Sequence, residues 1–233
     1  MNATRTSYPC LDTKSLTLEN DMSNSKIYIK LGLNGRTGQN QGYPKVLSLL
    51  SSRLQKHVEK NEKSLQTTQT KDVPTIFHGS RAPSLTIQQY IDRIFKYSRC
   101  SPSCFVVANI YMDRLIQSES IVLNSLNVHR LLITSIMLAT KFIDEAFFNN
   151  AYYAKVGGIS RAEMNTLEIK FLFGIDFQLY VNLFTFKEYC LKLMGEGSED
   201  EVQNAVHLSC GIIEKRSKNN DDSTYPTIEI EIK

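Results

Sequence analysis

The 233-residue chain contains no tryptophan, and what else it lacks excludes several classes of protein. No segment has the roughly 18 consecutive apolar residues that a membrane-spanning helix needs, so we expect no membrane partner. The segment 1–16 lacks the apolar core of a secretory signal, which predicts an intracellular protein, nuclear or cytoplasmic. The five cysteines are an odd number and widely spread, which favours reduced thiols over a disulfide framework.

Patterns typical of catalysis or metal binding are also missing. Cys100 and Cys104 could form half of a zinc site, but no second Cys/His pair follows at a suitable spacing. The glycines at 32, 35 and 38 lack the Gly-Lys-Ser/Thr ending of a phosphate-binding loop. His129 has no serine or cysteine nucleophile beside it, so we predict a capping or surface role for it. We therefore expect no enzyme, no catalytic residue, no metal and no cofactor.

Charge divides the chain into a nearly neutral middle and two charged flanks. Residues 1–83 carry 12 basic and 6 acidic side chains, and residues 181–233 carry 6 and 10. The middle, residues 84–180, carries 9 basic and 8 acidic side chains and most of the large apolar ones. The middle is therefore predicted to be the folded domain, with the flanks as accessories.

Composition and the positions of helix-starting and helix-breaking residues divide the chain into four predicted segments. Residues 1–42, rich in Asn, Ser, Thr, Gly and Gln, are predicted to be disordered. Residues 43–75 are predicted to form an amphipathic helix, at about 44–63, and a linker. Residues 76–190 form the main domain, and residues 191–233 a C-terminal helix followed by a disordered tail.

The main domain is predicted to be all-α, because it contains no alternating, strand-like run. Start signals are Ser84 as an N-cap, Pro102 at a first helical position, and a capping box of Ser160 and Glu163. Gly157 and Gly158 stop the fourth helix. The five predicted helices cover about 84–98, 102–118, 127–143, 149–156 and 160–173. Two further helices are predicted near 183–194 and 199–215.

Three charged residues in the apolar part of the domain have two interpretations. Lys141 follows ten uncharged residues of the third helix, and Glu168 lies in the fifth helix among apolar residues. Each could mark the solvent edge of its helix, or the two could belong to a binding surface. Asp113 could be a partly buried carboxylate paired with Arg93 or Arg114, or it could be exposed.

The motifs together resemble the cyclin box. The resemblance rests on YMDRL, NVHRLLITSIMLATKF and LEIKFLFGIDFQL, and it covers about residues 76–190. The segments SRAPSLTIQQYIDRIFKYSRCSPSCFVVANIYMDR and FFNNAYYAKVGG are similar to those of plant P-type, or U-type, cyclins. The resemblance implies a five-helix domain with an apolar third helix at its centre. Residues 181–233 are too few for a second such repeat, so we expect a single cyclin box.

The resemblance implies a regulatory subunit that binds and activates a cyclin-dependent protein kinase. A cyclin turns the kinase's mobile helix inward, which completes the catalytic lysine–glutamate pair and orders the activation loop. The family's lysine that hydrogen-bonds carbonyls of the kinase helix corresponds to Lys141, and its companion glutamate to Glu168. The implied apolar kinase contacts are Leu138, Phe142, Leu172, Phe177 and Leu179.

The chain departs from cell-cycle cyclins at the start of the first helix. Residues 86–90, Thr-Ile-Gln-Gln-Tyr, stand where those cyclins carry a Met-Arg-Ala-Ile-Leu type segment followed by a tryptophan. The family's arginine that pairs with Asp113 is therefore missing, and we predict that Arg93 replaces it in a structural charge pair. The substrate-docking patch of that segment is also put in doubt.

Two alternatives to kinase activation remain at this point. A cyclin-fold transcription or nucleic-acid-binding protein would carry a basic stripe for phosphate contacts, and the nearly neutral box offers none. We therefore expect no nucleic-acid partner. A scaffold that binds a kinase without activating it has the same sequence features as an activator.

Overall fold

The computed structural model describes residues 25–33, 42–68 and 73–195, and these residues form helices and connecting loops without a strand. The predicted helix at 199–215 and the predicted disordered tail lie outside the described residues. The helices are α1 over 25–31, α2 Lys45–Thr68, α3 Ile87–Ser98, α4 Ser103–Ser118, α5 Val128–Ile143, α6 Asn150–Gly157, α7 Arg161–Gly174 and α8 Leu183–Met194.

Helix α5 lies at the centre, as its uncharged sequence predicts. Its residues from Val128 to Thr140 are all buried except Arg130. Helices α3, α4, α6 and α7 all contact it. The hydroxyls inside this helix bond to its own backbone: Thr134 Oγ1 donates to Arg130 O at 2.7 Å and Thr140 Oγ1 to Ile136 O at 2.8 Å. A helix that is enclosed on every side can be apolar on every side, because none of its faces meets water.

The structure differs from the predicted caps at the starts of three helices. Helix α3 begins after Thr86, not Ser84: Thr86 and Gln89 form the complete capping box, with Gln89 N donating to Thr86 Oγ1 at 3.2 Å. At α7, Ser160 Oγ accepts from Glu163 N at 3.0 Å, which is half of the predicted box. The Glu163 carboxylate instead pairs with Arg130 Nε on α5 at 2.7 Å, because an ion pair between helices outcompetes a bond to one peptide N–H. Pro102 is the N-cap residue of α4, one position before its predicted place.

The N-terminal region contains more structure than the sequence predicts. Helix α2 continues to Thr68 and packs its buried apolar side chains against α3, α4 and α8. Helix α1 lies within the segment predicted to be disordered, and its side chains Ile27 and Leu31 are buried. The prediction of disorder is therefore wrong for residues 25–31. Two apolar side chains four residues apart can hold a short helix in place when both are buried against the folded domain. Residues 1–24 and 34–41 lie outside the described residues.

The predicted charge pair between Asp113 and Arg93 is replaced by a different one. Asp113 Oδ2 on α4 lies 3.7 Å from Arg53 Nη2, and about a fifth of each side chain is exposed. Arg93 instead donates from Nε to Val156 O at 2.8 Å and from Nη2 to Lys155 O at 3.4 Å. The physical reason is that α3 packs its Arg93 edge on α6, whereas α2 brings Arg53 to α4. Burial raises the pKa of the Asp113 carboxyl, and the Arg53 guanidinium opposes that rise.

His129 is a core residue and not a cap or surface residue. Its Nε2 lies 2.9 Å from Leu85 O, and its ring packs edge-on against Tyr90 with centroids 4.8 Å apart. Burial lowers the pKa of His129 below its ordinary value. The side chain therefore stays neutral at physiological pH and fastens the segment before α3 to α5.

The Arg53–Asp113 pair yields a pH-dependent prediction. Arg53→Met should lower the free energy of unfolding by about 1–2 kcal/mol near neutral pH, because it leaves the Asp113 carboxylate without its guanidinium. Without Arg53, the folded-state pKa of Asp113 rises further above its unfolded value. The deficit should therefore grow as pH rises through that pKa and shrink at low pH, where Asp113 is protonated.

Urea denaturation of the wild type and variant near neutral pH and at lower pH measures this effect. Lys60→Met, at an exposed position of the same helix, is the control and should change stability little at either pH. A deficit that does not depend on pH would contradict the electrostatic explanation.

Candidate functional site

Lys141 and Glu168 meet in the structure and form an ion pair between α5 and α7. Lys141 Nζ lies 2.6 Å from Glu168 Oε1, and 26% of the lysine side chain and 17% of the glutamate side chain remain exposed. Lys141 lies in the last turn of α5, directly after the enclosed part of that helix. A cation in this position also interacts favourably with the negative end of the helix dipole.

Asn150, the first residue of α6, joins the pair from a third helix. Lys141 Nζ donates to Asn150 Oδ1 at 2.5 Å, and Asn150 Nδ2 donates to Glu168 Oε2 at 2.6 Å and to Asn165 Oδ1 at 2.8 Å. Lys141, Asn150 and Glu168 thus bond pairwise, and we call them the ionic network. Two of the three ammonium donors are used inside it, which leaves one donor and carboxylate lone pairs for a partner.

Sequence reasoning missed Asn150. The segment NNAYYAKV predicts a helix start, and Asn149 does serve as the N-cap with its side chain accepting from Tyr152 N at 3.1 Å. Nothing in that pattern relates the next asparagine to Lys141, because the contact depends on how α6 folds back between α5 and α7. The sequence offers one weak signal that Asn150 has another role: two asparagines precede the helix, and one is enough for the N-cap.

The predicted apolar contact residues divide into exposed and buried ones. Phe142 is 49% exposed and Phe177 54%, whereas Leu172 and Leu179 are half-buried. Leu138 is only 3% exposed, so the structure places it in the core and not on the surface. The reason is that α5 is still enclosed on every side one turn before Lys141.

The structure adds exposed apolar side chains that the sequence assigned to no surface. Ile169 and Phe173 on α7 are 54% and 67% exposed and lie one turn apart. Phe173 packs edge-on against Phe177, with ring centroids 5.2 Å apart. Between residues 143 and 184, other large apolar side chains that are more than a third exposed are Ile143, Phe147, Phe148, Tyr180, Leu183 and Phe184. A helical spacing of apolar residues does not distinguish a face that packs in the core from a face that awaits a partner.

We call the ionic network together with Phe142, Ile169, Phe173 and Phe177 the α5–α7 surface. Large exposed apolar side chains around a charge pair are typical of a protein-interaction site. Beside it, a groove of about 380 Å³ is lined by Val107, Phe142, Ile143, Leu179, Tyr180, Val181, Leu183 and Phe186.

The segment that carries Phe177 is fixed to α4. Tyr111 Oη donates to Leu179 O at 2.7 Å, and Arg114 donates to the carbonyls of Gln178 and Tyr180. Phe177 itself has a φ of 54°, in the left-handed region that bulky residues seldom adopt. These hydrogen bonds from α4 side chains to backbone carbonyls hold this turn in place and keep the Phe177 ring on the surface.

Within the described ranges, no group of three or more His, Cys, Asp and Glu side chains is arranged to hold a metal ion. Cys100 and Cys104 are buried free thiols in a polar cluster in which Cys104 Sγ donates to Asp144 Oδ2 at 3.3 Å. The described helices include none that is both long and apolar enough to cross a lipid bilayer. The α5–α7 surface, where an ion pair lies among exposed apolar side chains, is the candidate functional site.

Comparison with known proteins covers the same helices. A family model described as Cyclin matches residues 44–179, which includes α2 and the predicted box up to residue 179. The chain belongs to the cyclin family. It is 53% identical over 184 residues to Cyclin-P3-1 of Oryza sativa subsp. japonica, which covers 78% of each chain. It is 51% identical over 153 residues to Cyclin-U4-1 of Arabidopsis thaliana, covering 65% of this chain and 76% of that protein.

A third relative, Cyclin-U3-1 of Arabidopsis thaliana, is 44% identical over 179 residues, covering 77% of this chain and 81% of that protein. These relatives place the chain among the plant P/U-type cyclins. The predicted family and the predicted all-α cyclin-box fold are confirmed. A regulatory role in the cell cycle follows from membership of this family.

The ionic network should contribute modestly to the stability of this cyclin. Lys141→Ala and Glu168→Ala should each lower the free energy of unfolding by about 1 kcal/mol, because both side chains remain partly exposed to water. A double-mutant cycle with the combined variant should give a coupling energy of about 0.5–1 kcal/mol. Chemical denaturation and far-ultraviolet circular dichroism measure both quantities. Loss of helical content in either single variant would assign the pair to the core of the fold.

Proposed function

We propose that this cyclin binds a cyclin-dependent protein kinase through the α5–α7 surface and shifts it towards its active conformation. The observation that supports this proposal above others is the ionic network, which is held among exposed aromatic and aliphatic side chains. An apolar surface with a charge pair fixed inside it can recognise both the shape and the backbone of a partner helix.

The charges of the network suit the backbone of a helix end. Lys141 has an ammonium N–H left for the carbonyls of the kinase's mobile helix, and the last turn of any helix carries carbonyls without intrahelical partners. Glu168 keeps the lysine head group in place, so the lysine loses little side-chain entropy when the kinase binds. We infer that Lys141 fixes the position of the kinase helix and that Glu168 fixes Lys141.

The apolar part of the surface supplies the affinity. Each large aromatic side chain buries on the order of 150–250 Å² when it is fully covered. Phe142, Phe173 and Phe177 together with Ile169 would then contribute a substantial share of a standard interface of about 1,600 Å². The groove beside Phe142 and Leu179 offers room for a side chain of the partner.

Activation requires that the cyclin bind the active kinase conformation more tightly than the inactive one. A shift from about 1% to about 99% active needs a preference of roughly 10⁴-fold, or about 5.5 kcal/mol. Contacts that exist only when the kinase helix has turned inward can provide this preference, since they are absent in the other conformation.

Substitution of the network tests the binding. Lys141→Ala and Glu168→Ala should each weaken binding to the cognate kinase by about thirtyfold or more, the equivalent of about 2 kcal/mol, because a partner group is left desolvated and unpaired. Pull-down of a panel of plant cyclin-dependent kinases finds the cognate one, and titration calorimetry gives the dissociation constants.

Glu163→Gln is the matched control, because Glu163 also bridges α7 to α5 but does so through Arg130. It should leave the dissociation constant within about twofold. Failure of the wild-type chain to bind any cyclin-dependent kinase would overturn the proposal. Binding without a rise in phosphorylation of a generic substrate would identify a scaffold.

The exposed ring of Phe173 should matter for binding and not for folding. Phe173→Ser removes an apolar side chain that is 67% exposed, so the free energy of unfolding should change by less than about 0.5 kcal/mol. The dissociation constant for the kinase should rise by about tenfold or more, as for a truncated aromatic anchor. Val73→Ser, at a position that is 76% exposed on the segment before α3, should leave binding unchanged. Equal effects of the two variants would contradict this role.

A further inference from the structure

A second surface, formed by α3 and α6, combines exposed cations with aromatic rings. Arg93, Lys96 and Tyr97 are exposed on the last two turns of α3, and Lys155 is exposed on α6. Tyr97 is 44% exposed, with Lys96 Nζ 5.5 Å and the Arg93 guanidinium carbon 5.9 Å from its ring centroid. We call these four residues, with Phe148 and Tyr152, the α3–α6 surface.

Hydrogen bonds and ring stacking hold this surface together. Tyr152 Oη donates to Tyr97 O at 2.8 Å, and the Tyr152 ring stacks on Phe148 with centroids 4.0 Å apart and an interplanar angle of 22°. The two carbonyls of α6 that accept from Arg93 fix its guanidinium between the helices. These bonds use Nε and one Nη hydrogen, so further guanidinium N–H groups remain for an anion.

The carboxylates near this surface are mostly engaged elsewhere. Helix α3 contains one acidic residue, Asp92, which accepts from Gln88 Nε2 at 2.8 Å and from the Tyr43 hydroxyl. Helix α6 contains none. In the loop before α6, Asp144 accepts from Ser101 N at 2.9 Å, and Glu145 is exposed. The exposed Arg99 directly after α3 adds a further positive charge, so the surface is positive in balance.

A cavity of about 430 Å³ opens on this surface and is lined by Phe148, Asn149, Ala151, Tyr152 and Lys155. Its lining combines an aromatic stack with one cationic side chain, and its size is that of a site for a few side chains. We propose that the α3–α6 surface docks an acidic peptide segment of a protein partner. Its carboxylates pair with Arg93, Lys96 and Lys155, and an intervening side chain packs on the Phe148–Tyr152 stack.

Charge complementarity identifies the occupant as a peptide. The cations are confined to the end of α3 and to α6, a short patch compared with the extended basic stripe that a nucleic-acid backbone requires. Guanidinium groups bind carboxylates with directed hydrogen bonds, and the aromatic stack suits side chains of a peptide. The surface borders the ionic network at Asn150, so a peptide docked here lies beside the proposed kinase site. The docking itself does not depend on kinase binding.

Fluorescence anisotropy with the full chain and no kinase tests this inference. The probe is a labelled peptide of alternating glutamate and glycine, and the reference probe has glutamine in place of glutamate. The acidic probe should bind at least tenfold more tightly than the reference at low salt, and the difference should fall as salt is raised, because exposed ion pairs are screened. Lys96→Glu combined with Lys155→Glu should weaken binding of the acidic probe by about tenfold.

Lys60→Glu combined with Lys63→Glu is the matched control, because it makes the same charge change at exposed positions of α2. It should leave the affinity within about twofold. If both double variants weaken peptide binding equally, the net charge of the chain explains the effect and the inference is overturned. Equal binding of the two peptides would overturn it as well. Tighter binding of a single-stranded oligonucleotide than of the acidic peptide would favour a nucleic-acid partner instead. Failure of kinase binding with success here, or the reverse, separates this inference from the proposed function.

Discussion

The enclosure of α5 on every side is the constraint on which the rest of the structure depends. Four helices contact it, and they pack mainly apolar side chains against it, apart from the Arg130–Glu163 ion pair to α7. This arrangement leaves α5 a single rigid position, since a shift along or around its axis would open voids against all four neighbours. Lys141 lies where the enclosure ends, so the core fixes the position of its head group to a degree that an exposed helix could not.

A rigid Lys141 changes what its neighbours can do. Glu168 on α7 and Asn150 on α6 bond to it and to each other, so three helices meet at one polar point among exposed aromatic rings. Preorganised charges cost little conformational entropy when a partner binds. The exposed rings of Phe142, Phe173 and Phe177 would be a liability for solubility if no partner covered them. Rigid charges and exposed rings on one surface are together best explained by a protein partner.

Local sequence signals predicted the helices, because uncharged runs, caps and stops act within a few residues. The central helix, its end at Ile143 and the N-cap of α7 at Ser160 could all be predicted in this way. The pairing of charged side chains could not be predicted in this way. Asp113 pairs with Arg53 and not with Arg93, because the pairing depends on where α2 packs. Ile169 and Phe173 were assigned to no surface for a related reason, since their helical spacing equals that of core residues. Leu138, which the family resemblance implied as a kinase contact, is buried, because α5 is still enclosed at that position.

Helix α6 connects the two surfaces and explains why they can act together. It has eight residues, too few for a stable helix in isolation, so its neighbours must hold it in place. Its first residue, Asn150, bonds to Lys141 and Glu168. At its other end, Arg93 donates to the carbonyls of Lys155 and Val156, and Tyr90 Oη donates to Gly157 O at 3.1 Å. The same bonds that stabilise α6 therefore orient Asn150 for one surface and Lys155 for the other. The α5–α7 surface combines a fixed ion pair with apolar rings, whereas the exposed lysines of the α3–α6 surface add a salt-dependent attraction. The two surfaces therefore differ in the interaction that each can make. Since α6 contributes residues to both surfaces, a protein bound at one surface lies close to a peptide bound at the other.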